Sequence, residues 1–134
     1  DDGVSIKEIY YNGRLKNKHG GLVVVGKHVY GDSNDQGIPF CADLETGKVL
    51  WKRDRKLSRQ GRGSATVTYA DGRLYFIYED GVATLVEANP KEFKEVGSFR
   101  LEGRGRAWAH PVVLGGKMYL RRGDFLYCYN VAAK

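Results

Sequence analysis

The sequence predicts an all-β fold of short antiparallel strands, and three observations carry that prediction. Short apolar runs are cut by Gly pairs and by Asp-Gly or Asn-Gly steps; the composition holds 18 Gly and 9 Tyr but only 3 Pro; and one order of runs and turns returns along the chain. Many short strands look like this, and long helices do not. The clearest hairpin is the stretch from Cys41 to Trp51. Apolar residues before Asp43 and the run Val49 to Trp51 are strand formers, while Glu45-Thr46-Gly47 supplies the turn, with Gly47 free to take positive φ. A lone hairpin is marginal in water, so the indole of Trp51 must pack on a neighbour of the same kind.

The 134 residues suffice for one ordinary domain with one core. No apolar run approaches the roughly 20 residues that span a bilayer. The start at Asp1 carries no charged leader or apolar h-region, and the missing initiator Met reads as a processed product or an excerpt. Two cysteines, Cys41 and Cys128, are too few for a disulfide framework and sit in apolar strand contexts, so both are expected as buried free thiols. A net charge of +6 with a pI near 9.3 raises the question of an anionic partner without answering it.

In chain order, Ser5 to Tyr11 reads as a strand, followed by Asn12-Gly13 and a basic connector with Arg14, Lys16 and Lys18. A full unit follows: Leu22 to Val25, the turn Gly26-Lys27, His28 to Tyr30, a polar loop from Asp32 to Gly37, Pro39 to Asp43, and Lys48 to Arg53. After a connector from Arg55 to Gly63 the order repeats as Ala65 to Ala70, Asp71-Gly72, Arg73 to Glu79, Asp80-Gly81, Val82 to Ala88 and Lys94 to Leu101. A second connector with Arg104 and Arg106 leads to His110 to Leu114, Gly115-Gly116, Lys117 to Arg121, Gly123-Asp124 and Phe125 to Val131. The chain divides accordingly into 1–18, an outer strand and connector, then units 19–63 and 64–108, and an incomplete unit 109–134.

Single residues show the period. Tyr30, Tyr75 and Tyr119 recur at spacings of 45 and 44, and Cys41, Leu85 and Cys128 at 44 and 43, with Asp43, Glu87 and Asn130 in step. A period in the forties built of four short strands marks a β-propeller blade. The third unit lacks its outermost strand, and Ser5 to Tyr11 is an outermost strand lacking inner partners, so the two are expected to make one shared blade. Three blades are too few to close a ring, since closed propellers use about four to eight. The expectation is therefore part of a larger propeller whose other blades lie in a parent chain, or half of a six-bladed homodimer in which each Ser5–Tyr11 strand completes the other copy's last blade.

Cys41-x-Asp43-x-x-Thr46-Gly47-Lys48-x-x-Trp51 resembles the tryptophan-docking repeat of pyrroloquinoline-quinone-type propellers, with Cys41 where Ala is usual. The other copies depart from it: Leu85 to Lys94 carries an Asn89-Pro90-Lys91 insertion and no Trp, and Cys128-Tyr129-Asn130 ends before any Gly. His19-Gly20-Gly21, Thr68 to Tyr75, Glu79-Asp80-Gly81 and Leu126 to Tyr129 are similar to the C-terminal half of secreted quinoprotein-like proteins of planctomycete-type bacteria. The resemblance implies that Asp43, Gly47 and Trp51 are structural docking residues and that the protein is periplasmic or secreted. Quinoprotein dehydrogenases of this kind also need a calcium-binding Glu, Asn and Asp set, a catalytic Asp and usually a vicinal Cys pair. Cys41 and Cys128 are not vicinal, so no cofactor or metal residue is carried over, and pyrroloquinoline quinone with calcium remains only the enzyme alternative.

Asp32-Ser33-Asn34-Asp35-Gln36-Gly37 approximates a calcium loop in its oxygen donors but lacks flanking helices, and Gly31-Asp32-Ser33 lacks the strand-to-helix elbow of a nucleophile motif. A polar loop between strands accounts for all six residues. The basic connectors recur at one phase: Arg14, Lys16 and Lys18; Arg53, Arg55, Lys56, Arg59 and Arg62; Arg100, Arg104 and Arg106. They are expected to share a face with the acidic loop residues Asp32, Asp35, Glu79, Asp80 and Asp124, forming modest ion pairs or an anion or acidic-polysaccharide site. Stacking platforms for single strands are absent beyond Trp108, which argues against nucleic acid. His19, Arg62, Arg106, Trp108 and His110 fall where connectors enter innermost strands, at a channel mouth, and are the candidate ligand residues. The functional expectation is a non-catalytic propeller scaffold or binding module with a basic loop face and a protein partner, a second copy or missing blades beside it; the alternatives are part of a quinone-dependent oxidoreductase and an anion-binding module.

Overall fold

The computed structural model describes residues 3–33, 36–53 and 61–132, and the described residues are all-β. Eleven strands form three antiparallel meanders of four, four and three strands. Blade 1 is β1 (Leu22–Val25), β2 (His28–Ser33), β3 (Ile38–Asp43) and β4 (Val49–Lys52), paired in chain order. Blade 2 is β5 (Ala65–Ala70), β6 (Arg73–Tyr78), β7 (Val82–Glu87) and β8 (Glu95–Arg100). Blade 3 is β9 (Val112–Leu114), β10 (Lys117–Arg122) and β11 (Phe125–Asn130). Among the described residues no helix is long and apolar enough to cross a membrane.

The repeat extends to register. Tyr30 lies opposite Cys41, Tyr75 opposite Leu85 and Tyr119 opposite Cys128, and blades 1 and 2 carry a bulge at the same place, between Cys41 and Ala42 and between Leu85 and Val86. Side chains alternate between faces, so blade 2 offers one apolar face to each of its two neighbours. Tyr30, Cys41, Val67, Leu74, Phe76 and Val86 form the core between blades 1 and 2, with Trp51 and Phe93 packed against it. Ile77, Ala83, Leu101, Ala107, Met118 and Leu120 form the core between blades 2 and 3.

Three expectations are corrected. Ser5 to Tyr11 forms no ladder: residues 3–11 pair with none of the three sheets, and Val4, Ile6 and Ile9 are exposed. A strand needs an edge to bond to, and this segment lies beside blade 1 instead, where the Tyr10 hydroxyl donates to Leu44 O at 2.9 Å. Asp32 and Ser33 belong to β2 and are buried, so the polar loop is shorter than expected; Asn34 and Asp35 lie outside the described residues. Of the two thiols, Cys41 is buried but Cys128 is exposed, because among the described residues no blade covers its face of β11.

Candidate functional site

Asp43, Gly47 and Trp51 lie where blade 1 meets its neighbours. Asp43 Oδ1 accepts hydrogen bonds from the Thr46 hydroxyl (2.7 Å), Thr46 N (2.8 Å) and Glu45 N (3.1 Å). These bonds, the hydroxyl's first, hold the Asp43 carboxyl below its ordinary value. Gly47 closes the turn at φ 67°, and a Cβ there would lie 2.4 Å from the Tyr10 ring. Trp51 is half-buried at the blade 1–blade 2 interface; its Nε1 donates to Asn89 O at 2.8 Å, and its ring is tilted over Tyr30 and edge-on to Phe93.

Asp32 is a pin that the sequence did not reveal. It is 1% exposed; Oδ1 accepts from Ile38 N at 2.6 Å within blade 1, and Oδ2 accepts from Ala65 N at 3.0 Å at the start of blade 2. A buried carboxylate needs such donors. It is therefore a structural residue and not a loop ligand for calcium. Ser33, the other residue of the nucleophile-like triplet, is sealed in β2.

The basic connectors and acidic turns meet at one end of the sheets, where Asp80 N donates to Arg62 O, Ala107 N to Glu79 O and Gly123 N to Arg106 O. Arg106 Nη1 and Trp108 Nε1 both donate to Glu79 Oε1, at 2.7 and 2.8 Å, and the Arg106 guanidinium lies 5.3 Å from the Trp108 ring centre. Arg100 lies 3.3 Å from Asp80 and also bonds its backbone carbonyl. Arg122 donates to the carbonyls of Gly105 and Leu101, fastening blade 3 to the second connector. Arg55, Lys56 and Arg59 lie outside the described residues.

The candidate ligand residues are separated into groups. Arg106 and Trp108 border a hollow of about 370 Å³ completed by Ala109, Arg121, Gly123 and Asp124. Trp108 is 58% exposed, held through its Nε1 instead of packed between blades. His110 lies elsewhere, with Nδ1 3.4 Å from Val67 O and its ring against Gly21. His19 is exposed beside Gly20, whose carbonyl accepts from Val67 N, and Arg62 is exposed and reaches the Glu79–Asp80 turn through its carbonyl. Arg121 and Asp124 join Trp108 only in the folded chain. Repeat phase points the other way: Arg121 occupies the position of Asp32 in blade 1 and Ile77 in blade 2, both buried, yet it is exposed.

Chemically, the hollow offers an exposed indole, a guanidinium already neutralised by Glu79, a second guanidinium with no ion-pair partner among the described residues, and a carboxylate. That set suits stacking on a ring and a charge-assisted bond to an anionic group. Cys41 and Cys128 stand in different blades, and among the described residues no three His, Cys, Asp or Glu side chains gather.

No protein-family model and no curated protein sequence matches the chain. Solved structures do. BamB from Moraxella catarrhalis matches with TM-score 0.58 and 18% identity, over 80% of this chain and 29% of BamB. A quinohemoprotein alcohol dehydrogenase from Pseudomonas putida HK5 matches with TM-score 0.65 and 18% identity, over 88% of this chain and 20% of the enzyme. A europium-containing methanol dehydrogenase matches with TM-score 0.64 and 20% identity, over 91% of this chain and 24% of the enzyme. The likeness shows a pyrroloquinoline-quinone-like β-propeller fold, and the chain spans less than a third of each of these structures.

Proposed function

We propose that this segment of quinoprotein-like propeller is a non-catalytic binding module, exported as the family resemblance implies, whose loop face takes an acidic saccharide at the Arg106–Trp108–Arg121 hollow. One observation carries the reading: Trp108 is exposed with its Nε1 bonded to Glu79 Oε1, the same oxygen that Arg106 pairs with, beside a hollow that Arg121 and Asp124 also line. Exposing an indole forgoes burial energy that packing it would return, so an edge-held, exposed ring is best accounted for by a ligand that stacks on it. With Glu79 balancing Arg106, Arg121 supplies the charge for a carboxylate, while Asp124 accepts from hydroxyls. The basic connectors then steer the polyanion to the face.

Titration with oligogalacturonate, followed by tryptophan fluorescence and calorimetry, tests this. Trp108→Ala and Arg121→Gln are each expected to weaken binding about tenfold or more, and affinity is expected to fall as salt rises. Equal affinity in the wild type and both variants, or no binding at millimolar saccharide, would remove the proposal. A second reading, a scaffold that docks other protein surfaces, is favoured by the exposed apolar residues Val112, Leu114, Phe125 and Leu126 on blade 3.

A further inference from the structure

Trp51 has a counterpart position that carries no side chain. In blade 1, Trp51 lies opposite Cys41, which lies opposite Tyr30, with Leu50 as the extra residue of the bulge. In blade 2, Gly97 lies opposite Leu85, which lies opposite Tyr75, with Val96 as the extra residue. At the blade 1–blade 2 interface the indole of Trp51 fills the space over the paired tyrosine. At the blade 2–blade 3 interface the corresponding space is a hollow of about 270 Å³, bordered by Tyr75, Leu85, Gly97, Phe99, Met118 and Val131 among others. The Gly97 backbone is not in the left-handed region, and a Cβ there would meet nothing within 4 Å.

We infer that this hollow is a binding site for an indole ring. Its border holds no charged side chain to pair with a charged ligand, whereas a flat apolar ring gains contacts along the lining. Tyr75 and Phe99 present aromatic surfaces and Met118 a thioether, which favours ring edges. A cavity of about 150 Å³ is enough to hold benzene, so a hollow of about 270 Å³ has room for a bicyclic ring. The repeat also supplies an acceptor. Trp51 Nε1 donates to the carbonyl of Asn89, two positions after Glu87; the matching carbonyl, two positions after Asn130, is that of Ala132, next to Val131 of the hollow. Ser98 and Phe99 at the border are exposed, so the ring can arrive as a free small molecule or on a tryptophan side chain of another polypeptide.

Met118 is the chain's single methionine, so a ¹³C-methyl label places one resonance in the hollow. Titration of the full chain with indole, and separately with N-acetyltryptophanamide, is expected to give a saturable upfield shift of that methyl by ring current. Gly97→Trp fills the site from within and is expected to weaken the response at least tenfold, while Gly97→Ala leaves it within twofold. A response to indole alone assigns the site to small molecules, and a response to the amide alone to polypeptide tryptophans; either supports the inference. A methyl resonance unmoved by both compounds at their solubility limit overturns it, as does an unchanged response in folded Gly97→Trp. Should Gly97→Trp not fold, the wild-type titration decides by itself.

Discussion

Gly47 and Asp43 hold one turn by different means. Gly47 takes a backbone conformation that costs an L side chain about 1–2 kcal/mol, and its missing Cβ is where the Tyr10 ring sits. Gly47→Ala is accordingly expected to destabilise by at least that amount, measured by urea unfolding; an unchanged midpoint would show that Tyr10 and the turn both relax freely. Asp43 acts through a carboxylate held below its ordinary pKa. A group whose folded pKa is depressed contributes stability above its unfolded value and loses it as pH falls through the folded one. The gap in melting temperature between wild type and Asp43→Ala should thus be full at neutral pH and shrink below about pH 4.

The thiols divide the other way. Burial, the largest cause, pushes Cys41 up to about 11, so it is protonated and sealed at neutral pH, whereas Cys128 is exposed. At pH 8 the native chain is expected to titrate one thiol with a disulfide reagent and two in denaturant, and Cys128→Ser should abolish the native reaction. Two reactive thiols in the native chain would mean that the blade 1–blade 2 core opens readily. Burial also raises Tyr30 and Tyr78. Groups kept neutral by folding contribute stability below their unfolded pKa and lose it above, so thermal stability should decline as pH rises past about 9.

At the scale of elements, the blade 1–blade 2 contact depends on β4 reaching across to the β7–β8 connection. Trp51→Ala removes the indole from Tyr30 and Phe93 and leaves Asn89 O without its donor. Because Trp51 is half-buried, the expected cost is about 2–3 kcal/mol, below the 3–5 kcal/mol of a fully buried ring. Trp51→Phe, which keeps a ring and loses the hydrogen bond, should cost about 1 kcal/mol. Equal losses in the two variants would place the energy in the hydrogen bond instead of the packing.

For the whole molecule, the decisive feature is two uncovered flanks. Leu22 and Val24 are exposed on blade 1, and Tyr119, Leu126 and Cys128 on blade 3, whose last strand β11 has no neighbour on its outer edge among the described residues. Open edges and apolar flanks recruit partners. If a second copy supplies the cover, with Ile6 to Tyr10 of one chain antiparallel to Leu126 to Asn130 of the other, light scattering should give a dimer mass that deletion of residues 1–11 abolishes. A truncated chain that still dimerises, or a stable intact monomer, would reject strand exchange and leave blades of a parent chain as the cover.

Sequence by itself determined the all-β class, the strand order and the repeat. These depend on local rules: turn residues with the required φ, β-branched and aromatic runs, and spacings that survive in Tyr30, Tyr75 and Tyr119. It also placed a Trp, Trp51, in the last run of one unit and none in the unit that holds Gly97. Only the tertiary structure decided which polar residues face inward. Asp32 and Arg121 stand at the same phase of the repeat, yet one is a buried pin between blades and the other an exposed cation, because burial depends on what packs against a strand and not on the strand's own pattern. The same holds for Ser5 to Tyr11, whose composition is that of a strand but whose ladder needs an edge it does not meet, and for Cys128, whose exposure follows from the absence of a covering face among the described residues.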